Sequence, residues 1–507
     1  MDRSTSAIVV GSGVAGLAVA IRLASKGHVV QVFEAASTPG GKLTEFSEAG
    51  YRFDKGPSLF TMPHLLEELF RDAGVELSGR FAYRRLDEAN RYFWEDGTRV
   101  TGWCDPTRFA RELDEKIGTD QKTTLGYLQR ATQLLGSAGS TFLEHSLHRA
   151  DTLWKGGVLR ALTTTRLSEL TSDLHSVNRR VFGEGKAAQL FDRFATYNGS
   201  DPYRTPGLMR MIPGLEHGQG AFYPVGGMYR ITQALHLLAV DMGVRFHFNC
   251  PVERILLSPD QRKATGVRTA QGEHLADVVV SNMDVVPTYR KLLPDLQAPE
   301  RTLKQERSSS ALVFYWGIRG NFPELGLHNI FFSNNSRAEF EQLFRALNVY
   351  HDPTVYVNIT SKHTPGDAPV GCENWFTMIN APRDVGQDRA SLLAKARRAI
   401  IDKIKRTIGV DVEPLIAVER ILDPREIGER TFSHQGSIYG TSSNSPWAAF
   451  LRHPNFHRSV KGLYFCGGSV HPGGGIPLAL CSAKITAELI TAREQHHPPH
   501  ESVDRSH

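Results

Sequence analysis

Ala7-Ile8-Val9-Val10-Gly11-Ser12-Gly13-Val14-Ala15-Gly16, followed by Leu17 to Ser25, Gly27 and Val29-Val30-Gln31-Val32-Phe33-Glu34, is the stretch that decides the fold of this 507-residue chain. Ala7 to Val10 is apolar and β-rich, as expected of a strand buried on both faces. Leu17 to Ser25 is helical in composition and Gly27 stops it. Val29 to Phe33 reads as a second strand, so the opening is a βαβ unit of about 30 residues. G-x-G-x-x-G alone is a weak signal. Here it follows a strand, opens a helix, and precedes an acidic residue, Glu34, 18 positions after Gly16. Gly11 makes the tight turn, Gly13 lets the backbone approach a pyrophosphate, and Gly16 lets helix and strand pack closely. The helix N-terminus offers its free N–H groups to an anion. The Glu34 carboxylate suits ribose hydroxyls and would repel a 2′-phosphate, which disfavours NADP.

Further along, Pro39-Gly40-Gly41-Lys42 adds a second glycine pair and a cation. That suits a longer dinucleotide touched from two sides, which favours FAD over NAD. Gly467-Gly468 and Gly473-Gly474-Gly475 precede a helix expected over Ile476 to Ile490. Helix dipoles there would stabilise negative charge on a reduced flavin. Strands are also expected within Val244 to Leu257, at Ala276 to Val280 and at Leu463 to Cys466. Nucleotide-domain elements thus occur at the start, middle and end. The expected class is α/β: a Rossmann-type FAD-binding domain assembled from residues 1–75, 226–290 and 426–492. Residues 76–225 and 291–425 then form an inserted α+β substrate domain, and 493–507 a disordered tail. The first excursion is helix-rich (Leu125 to Leu135, Val158 to Leu174); the second carries strands such as Leu312 to Trp316. No internal repeat stands out.

Composition narrows the function classes. With 59 Lys+Arg against 54 Asp+Glu the net charge is +5, and no Lys/Arg block of the kind that reads nucleic acid occurs. The five cysteines (104, 250, 372, 466, 481) include no C-x-x-C pair, so neither a metal site nor a disulfide framework is expected and a reducing cytoplasm is the default. The apolar run Ala7 to Ile21 has 15 residues, short of the roughly 20 a spanning helix needs. Its glycines and the Asp2 beside Arg3 also argue against a signal core.

Phe53-Asp54-Lys55-Gly56-Pro57-Ser58, Pro224-Val225-Gly226-Gly227-Met228, Asn249-Cys250-Pro251-Val252, Val280-Ser281-Asn282-Met283-Asp284 and Gly467 to Pro477, followed by Ser482-Ala483-Lys484, recur in that order. The chain resembles the bacterial phytoene desaturase family of FAD-dependent carotenoid desaturases, through nearly its whole length. Val470-His471 and Leu478 in the C-terminal motif, with Gly56 to Pro63, look more like the branch acting on hydroxylated acyclic carotenoids, the 1-hydroxycarotenoid 3,4-desaturases. The resemblance implies that Gly11, Gly13, Gly16 and Glu34 bind the ADP half of FAD. Gly41 and Lys42 lie near pyrophosphate and flavin, Gly56 in a flavin loop that Asp54 caps or braces, and Val252 at the adenine. Gly467, Gly468, Gly475 and Ile476 run along the ribityl chain and isoalloxazine.

The implied chemistry is hydride transfer from the polyene to flavin N5 with loss of a neighbouring proton. The cofactor carries the difficult step and the protein supplies orientation and dryness. Asp192 and Arg193, within Phe191 to Pro202, are candidates to line the tunnel and handle a proton or a terminal hydroxyl; an ordinary surface ion pair is the bland alternative. His434 is a candidate catalytic or structural histidine. The water-insoluble substrate implies uptake from a bilayer, with the protein peripheral on the inner face of the cell membrane. Leu65 to Phe70 and Leu147 to Leu170 are the amphipathic candidates. Oxygen or a quinone is the expected electron acceptor. Three readings stay open: 3,4-desaturase, phytoene desaturase or isomerase of the same fold, and a non-catalytic carotenoid binder that retains FAD.

Overall fold

The computed structural model describes residues 5–146, 148, 163–445, 448 and 451–496. Its first sheet is fully parallel. The strand order is Leu463–Phe465, Val278–Ser281, Ser6–Val10, Val29–Phe33, Arg245–His247. Ser6 pairs with Val29 and Ala7 with Val278, so the first strand is flanked by segments that start at Val29 and at Val278, far apart in the chain. Alternation along that strand serves two cores. Ala7 and Val9 face the helices Val14–Ala24, Tyr229–Asp241 and Ile476–His496. Ile8 and Val10 face the antiparallel three-stranded sheet Val252–Leu257, Ala264–Thr269, Gly272–Leu275. Both faces of a parallel strand are thereby covered, which is why it reads as an unbroken apolar run.

The second sheet has seven strands, in the order Ile416–Leu422, Ser310–Arg319, Cys372–Ala381, Val355–Ile359, His328–Phe331, Glu88–Phe93, Arg99–Trp103. Its pairs are antiparallel except His328–Phe331 against Glu88–Phe93. The central strand Ser310–Arg319 is buried up to Ile318. Leu312, Phe314 and Trp316 pack under the helix Arg389–Ile408. Ala311, Val313 and Phe376 face the other way, toward Tyr51 and Phe53 and a large internal cavity. Helices of the first excursion, Gln121–Leu134, Leu174–Phe182 and Lys186–Asp192, pack in one cluster with Ile330 and Phe332, and the last of them reaches the cavity wall through Gln189 and Asp192. The structure is therefore a Rossmann-type layer with a mixed α+β layer inserted into it.

The helix His64–Asp72 carries the amphipathic stretch Leu65 to Phe70. Leu66, Leu69 and Phe70 are buried in the nucleotide-side core, and Glu68 pairs with Arg22 and Lys484. Its apolar face is thus taken up by the protein itself. Most of the other amphipathic candidate, Leu147 to Leu170, lies outside the described residues. No helix among the described residues is long and apolar enough to cross a membrane.

Candidate active site

The glycine turn sits at the mouth of the cavity. The helix Val14–Ala24 starts from Gly13, which has no side chain of its own to cap the first turn, so the Val14 and Ala15 amides are left to an anion. At the end of the second strand the Glu34 carboxylate is held on both oxygens. Oε2 accepts from Ser12 N and Ser12 Oγ, each at 2.7 Å, and Oε1 accepts from Ala36 N at 2.9 Å. This ties the acid to the turn and leaves lone pairs free for ribose hydroxyls. Asn282 supports the turn from behind. With its amide oxygen toward the turn it accepts from Gly13 N at 3.2 Å and Gly16 N at 3.3 Å. Gly40 N donates to Ser12 O at 3.0 Å, which brings the Gly40-Gly41-Lys42 segment alongside. Lys42 Nζ donates to Ile438 O at 3.0 Å. Burial lowers its ammonium to about 8, against an opposing pull from Asp284.

The cavity has a volume of about 770 Å³ and is lined mainly by carbon. Gly11, Gly13, Glu34, Gly41, Lys42, Gly56, Val252, Gly467, Gly468, Gly475 and Ile476 all line it; Gly16 lies behind the turn. From these loops it continues between Leu59, Met62, Met209, Ile330, Phe332 and Phe376. A glycine-walled polar mouth leading into an apolar interior fits a dinucleotide at one end and a hydrocarbon at the other. Gly56 is needed on two counts: its φ is +95°, and a Cβ would lie 2.0 Å from Lys42 O. Asp54 accepts from Met228 N at 2.9 Å and Tyr229 N at 3.1 Å and binds Arg52. It caps the helix Tyr229–Asp241 and so braces the strand leading to Gly56.

Polar groups in the apolar part are few and linked. Arg193 NH2 donates to Tyr92 Oη at 3.2 Å, and the guanidinium lies over the rings of Tyr92, Phe194 and Tyr197. Glu216, 0% exposed, lies 3.7 Å from Arg193 and accepts from Asn90; burial raises its carboxyl. Asp192 is 2% exposed. It meets His175 Nδ1 at 2.6 Å and accepts from Asn178 Nδ2 at 2.9 Å. Ser58 Oγ, Tyr356 Oη and His328 Nδ1 form a chain with both links at 2.7 Å.

The chain matches the model of the family described as flavin containing amine oxidoreductase over residues 14–491. It belongs to that family. It is 52% identical over 487 residues to a 1-hydroxycarotenoid 3,4-desaturase from Flavobacterium sp. (strain P99-3), covering 96% of this chain and 98% of that one. To a 4,4'-diapolycopene oxygenase from Methylomonas sp. it is 33% identical over 495 residues, again 96% and 98%. Among solved structures, an oxidoreductase from Methanosarcina mazei superposes with TM-score 0.62 at 16% identity, covering 95% of this chain and 100% of that one. Putrescine oxidase bound to putrescine superposes with TM-score 0.63 at 15% identity, covering 97% and 100%. These last two establish the fold. The protein is an FAD-dependent oxidoreductase.

Three placements differ from a plain reading of the sequence. Asp192 and Arg193 line the cavity but are not each other's partner: one holds the helix Leu174–Phe182, the other faces aromatic rings and Glu216. A surface ion pair is excluded by their burial. His434 does not reach the main cavity. It lines a separate recess with Lys291, Arg307 and Arg383, and its backbone N–H donates to Asp284 at 3.3 Å. Burial and the Arg307 charge lower its imidazole. Sequence reasoning passed over Ser12, Tyr356 and His328. Ser12 stands between the first two glycines, so its position was open to view. Tyr356 and His328 share short strands with Asn358 and Asn329, and only the sheet brings them to Ser58.

Proposed function

We propose that this flavoenzyme is a carotenoid desaturase that introduces the 3,4 double bond of an acyclic 1-hydroxycarotenoid. The 52% identity to the Flavobacterium 1-hydroxycarotenoid 3,4-desaturase carries this reading, and the apolar cavity opening from the glycine turns supports it. Bound flavin supplies a two-electron hydride acceptor. The chain's own residues then have three tasks. Gly11, Gly13, Glu34, Gly41, Lys42, Val252 and the Gly467–Ile476 segment hold the cofactor. Met209, Ile330, Phe332 and Phe376 align the polyene and keep water out. The proton lost from the neighbouring carbon needs only a weak acceptor, because the polyene delocalises the positive charge.

Asp192 is better read as structural, since its two oxygens tie it to His175 and Asn178 of the helix Leu174–Phe182. His434 is better read as structural, from its separate recess. Uptake of substrate from the cytoplasmic face of a bilayer, and return of electrons to oxygen or a quinone, complete the proposal. The domain boundaries proposed are 1–75, 226–290 and 426–492 for the cofactor, and 76–225 and 291–425 for the substrate.

The test is co-expression in a host making acyclic carotenoids with and without 1-hydroxyl groups, followed by pigment mass and absorption. A product two hydrogens lighter and red-shifted, formed from the hydroxylated pigment, is the expected outcome. Conversion of colourless phytoene would move the assignment to phytoene desaturation. A product heavier by oxygen would move it to the oxygenase relatives. Unchanged pigments with a yellow, FAD-loaded protein would overturn it in favour of isomerase or binding roles.

A further inference from the structure

The Ser58–Tyr356–His328 chain has a direction. His328 is 3% exposed, and burial, with the charges of His363 and Arg193, lowers its imidazole to about 3. The ring is therefore neutral near pH 7 and carries one proton. Asn358 Nδ2, which can only donate, lies 3.2 Å from His328 Nδ1 and also donates to Leu327 O at 3.0 Å. Nδ1 is accordingly the acceptor nitrogen, and the proton sits on Nε2. Tyr356 Oη, 2.7 Å from Nδ1, donates its own proton to it. Ser58 in turn donates to Tyr356 Oη at 2.7 Å. Every proton in the chain points toward His328, and Ser58 Oγ is left at the cavity wall as a free acceptor.

An acceptor left at the wall of a cavity lined mainly by carbon matches a ligand group that donates, as a hydroxyl does. We propose that Ser58 Oγ, oriented by Tyr356 and His328, accepts the hydrogen bond of the substrate's terminal hydroxyl. This rests on the reading of the substrate as a 1-hydroxycarotenoid. Position agrees with it. Ser58 follows Gly56 of the expected flavin loop by two residues, and carbon 1 of the substrate is separated from the 3,4 bond by a single carbon. A hydroxyl held at Ser58 would therefore bring that bond to the flavin and no bond further along the polyene. Ser58 is the binding residue in this scheme, and Tyr356 and His328 are positioning residues.

The experiment compares FAD-loaded wild type, Ser58→Ala, Ser58→Thr and Tyr356→Phe on a 1-hydroxylated acyclic carotenoid and its non-hydroxylated counterpart. Each is measured as substrate (kcat/KM) and, if not turned over, as competitive inhibitor. Flavin absorbance per protein is recorded for each variant. The preference for the hydroxylated compound is expected to fall roughly 10- to 100-fold in Ser58→Ala, the worth of one hydrogen bond to a buried polar group. Ser58→Thr, which keeps the hydroxyl, should restore most of it. Tyr356→Phe, which frees the Ser58 proton to turn, should lower it several-fold. Equal losses on both compounds, or an unchanged preference in Ser58→Ala, would overturn the anchor while leaving the desaturase reading intact. A wild type that desaturates neither compound would overturn the desaturase reading itself. Wild-type preference for the non-hydroxylated compound would overturn the anchor alone.

Discussion

Gly16 occupies a place with no room for a methyl group: a Cβ there would lie 2.1 Å from Gly11 O and 2.9 Å from the Asn282 amide. Gly16→Ala must therefore open the turn that faces the cofactor, at a cost of about 2 kcal/mol or more for overpacking. Purified Gly16→Ala protein is expected to have lost most of its flavin absorbance. Lys42 allows a test by pH. Its ammonium titrates at about 8 in the free protein. It is charged below that value and neutral above it. Affinity of the apoprotein for the anionic dinucleotide should fall as pH rises through about 8. Lys42→Met should weaken binding at pH 7 by about tenfold, near the lower end for a charge-assisted hydrogen bond, and abolish this pH dependence. Titration of apoprotein with FAD from pH 6.5 to 9.5 measures both effects.

Among the elements, the helix Tyr229–Asp241 depends on a residue far away in sequence. Asp54 accepts from its first two amides and also holds Arg52, which bridges to Asp367. Asp54→Ala removes the cap and leaves part of the Arg52 charge uncompensated. A loss of about 2 kcal/mol is expected in denaturant unfolding, with weaker FAD retention because Gly56 ends the same strand. Asp54→Asn, which keeps an acceptor oxygen, should cost less. The motif around Asp54 and Gly56 was plain in the sequence, and so was the motif Pro224 to Met228 that precedes the helix. Their contact was not, because a cap 174 residues away leaves no local pattern. The helix His64–Asp72 teaches the reverse. Its amphipathic pattern suits a membrane surface equally well, and only packing against the helices Val14–Ala24 and Ile476–His496 shows where its apolar face goes.

At the scale of the molecule, four of the buried histidines among the described residues are held far below the usual imidazole value. His217 stacks on Phe109 at 4.2 Å, His453 contacts Tyr289, His471 meets the His145 carbonyl, and His328 ends the Ser58 chain. Burial lowers them to about 4, 3, 4 and 3 respectively. In the unfolded chain each titrates near 6.5. The unfolded state therefore takes up protons below about pH 6.5 that the folded state refuses. Stability is full above that pH and falls as pH drops toward the folded values. The limiting slope is about 1.4 kcal/mol per pH unit for each site, or roughly 5 for all four. Thermal unfolding is expected to change little from pH 8 to 7 and to drop steeply from pH 6 to 5. A flat profile across that range would show that these rings are protonated within the fold.

Residues 7–34 by themselves determined a βαβ dinucleotide unit, because its strand period, turn glycines and acidic terminus all act over short range. The ordered motifs from Phe53 to Lys484 likewise identified a flavin enzyme without reference to coordinates. The tertiary structure alone decided what each polar side chain faces. It separated Arg193 from Asp192, moved His434 out of the main cavity, and joined Ser58, Tyr356 and His328 across nearly 300 positions. The physical reason is range. A turn is set by the residues within it, whereas a buried proton's direction is set by whichever donors and acceptors the sheets bring within 3 Å of it.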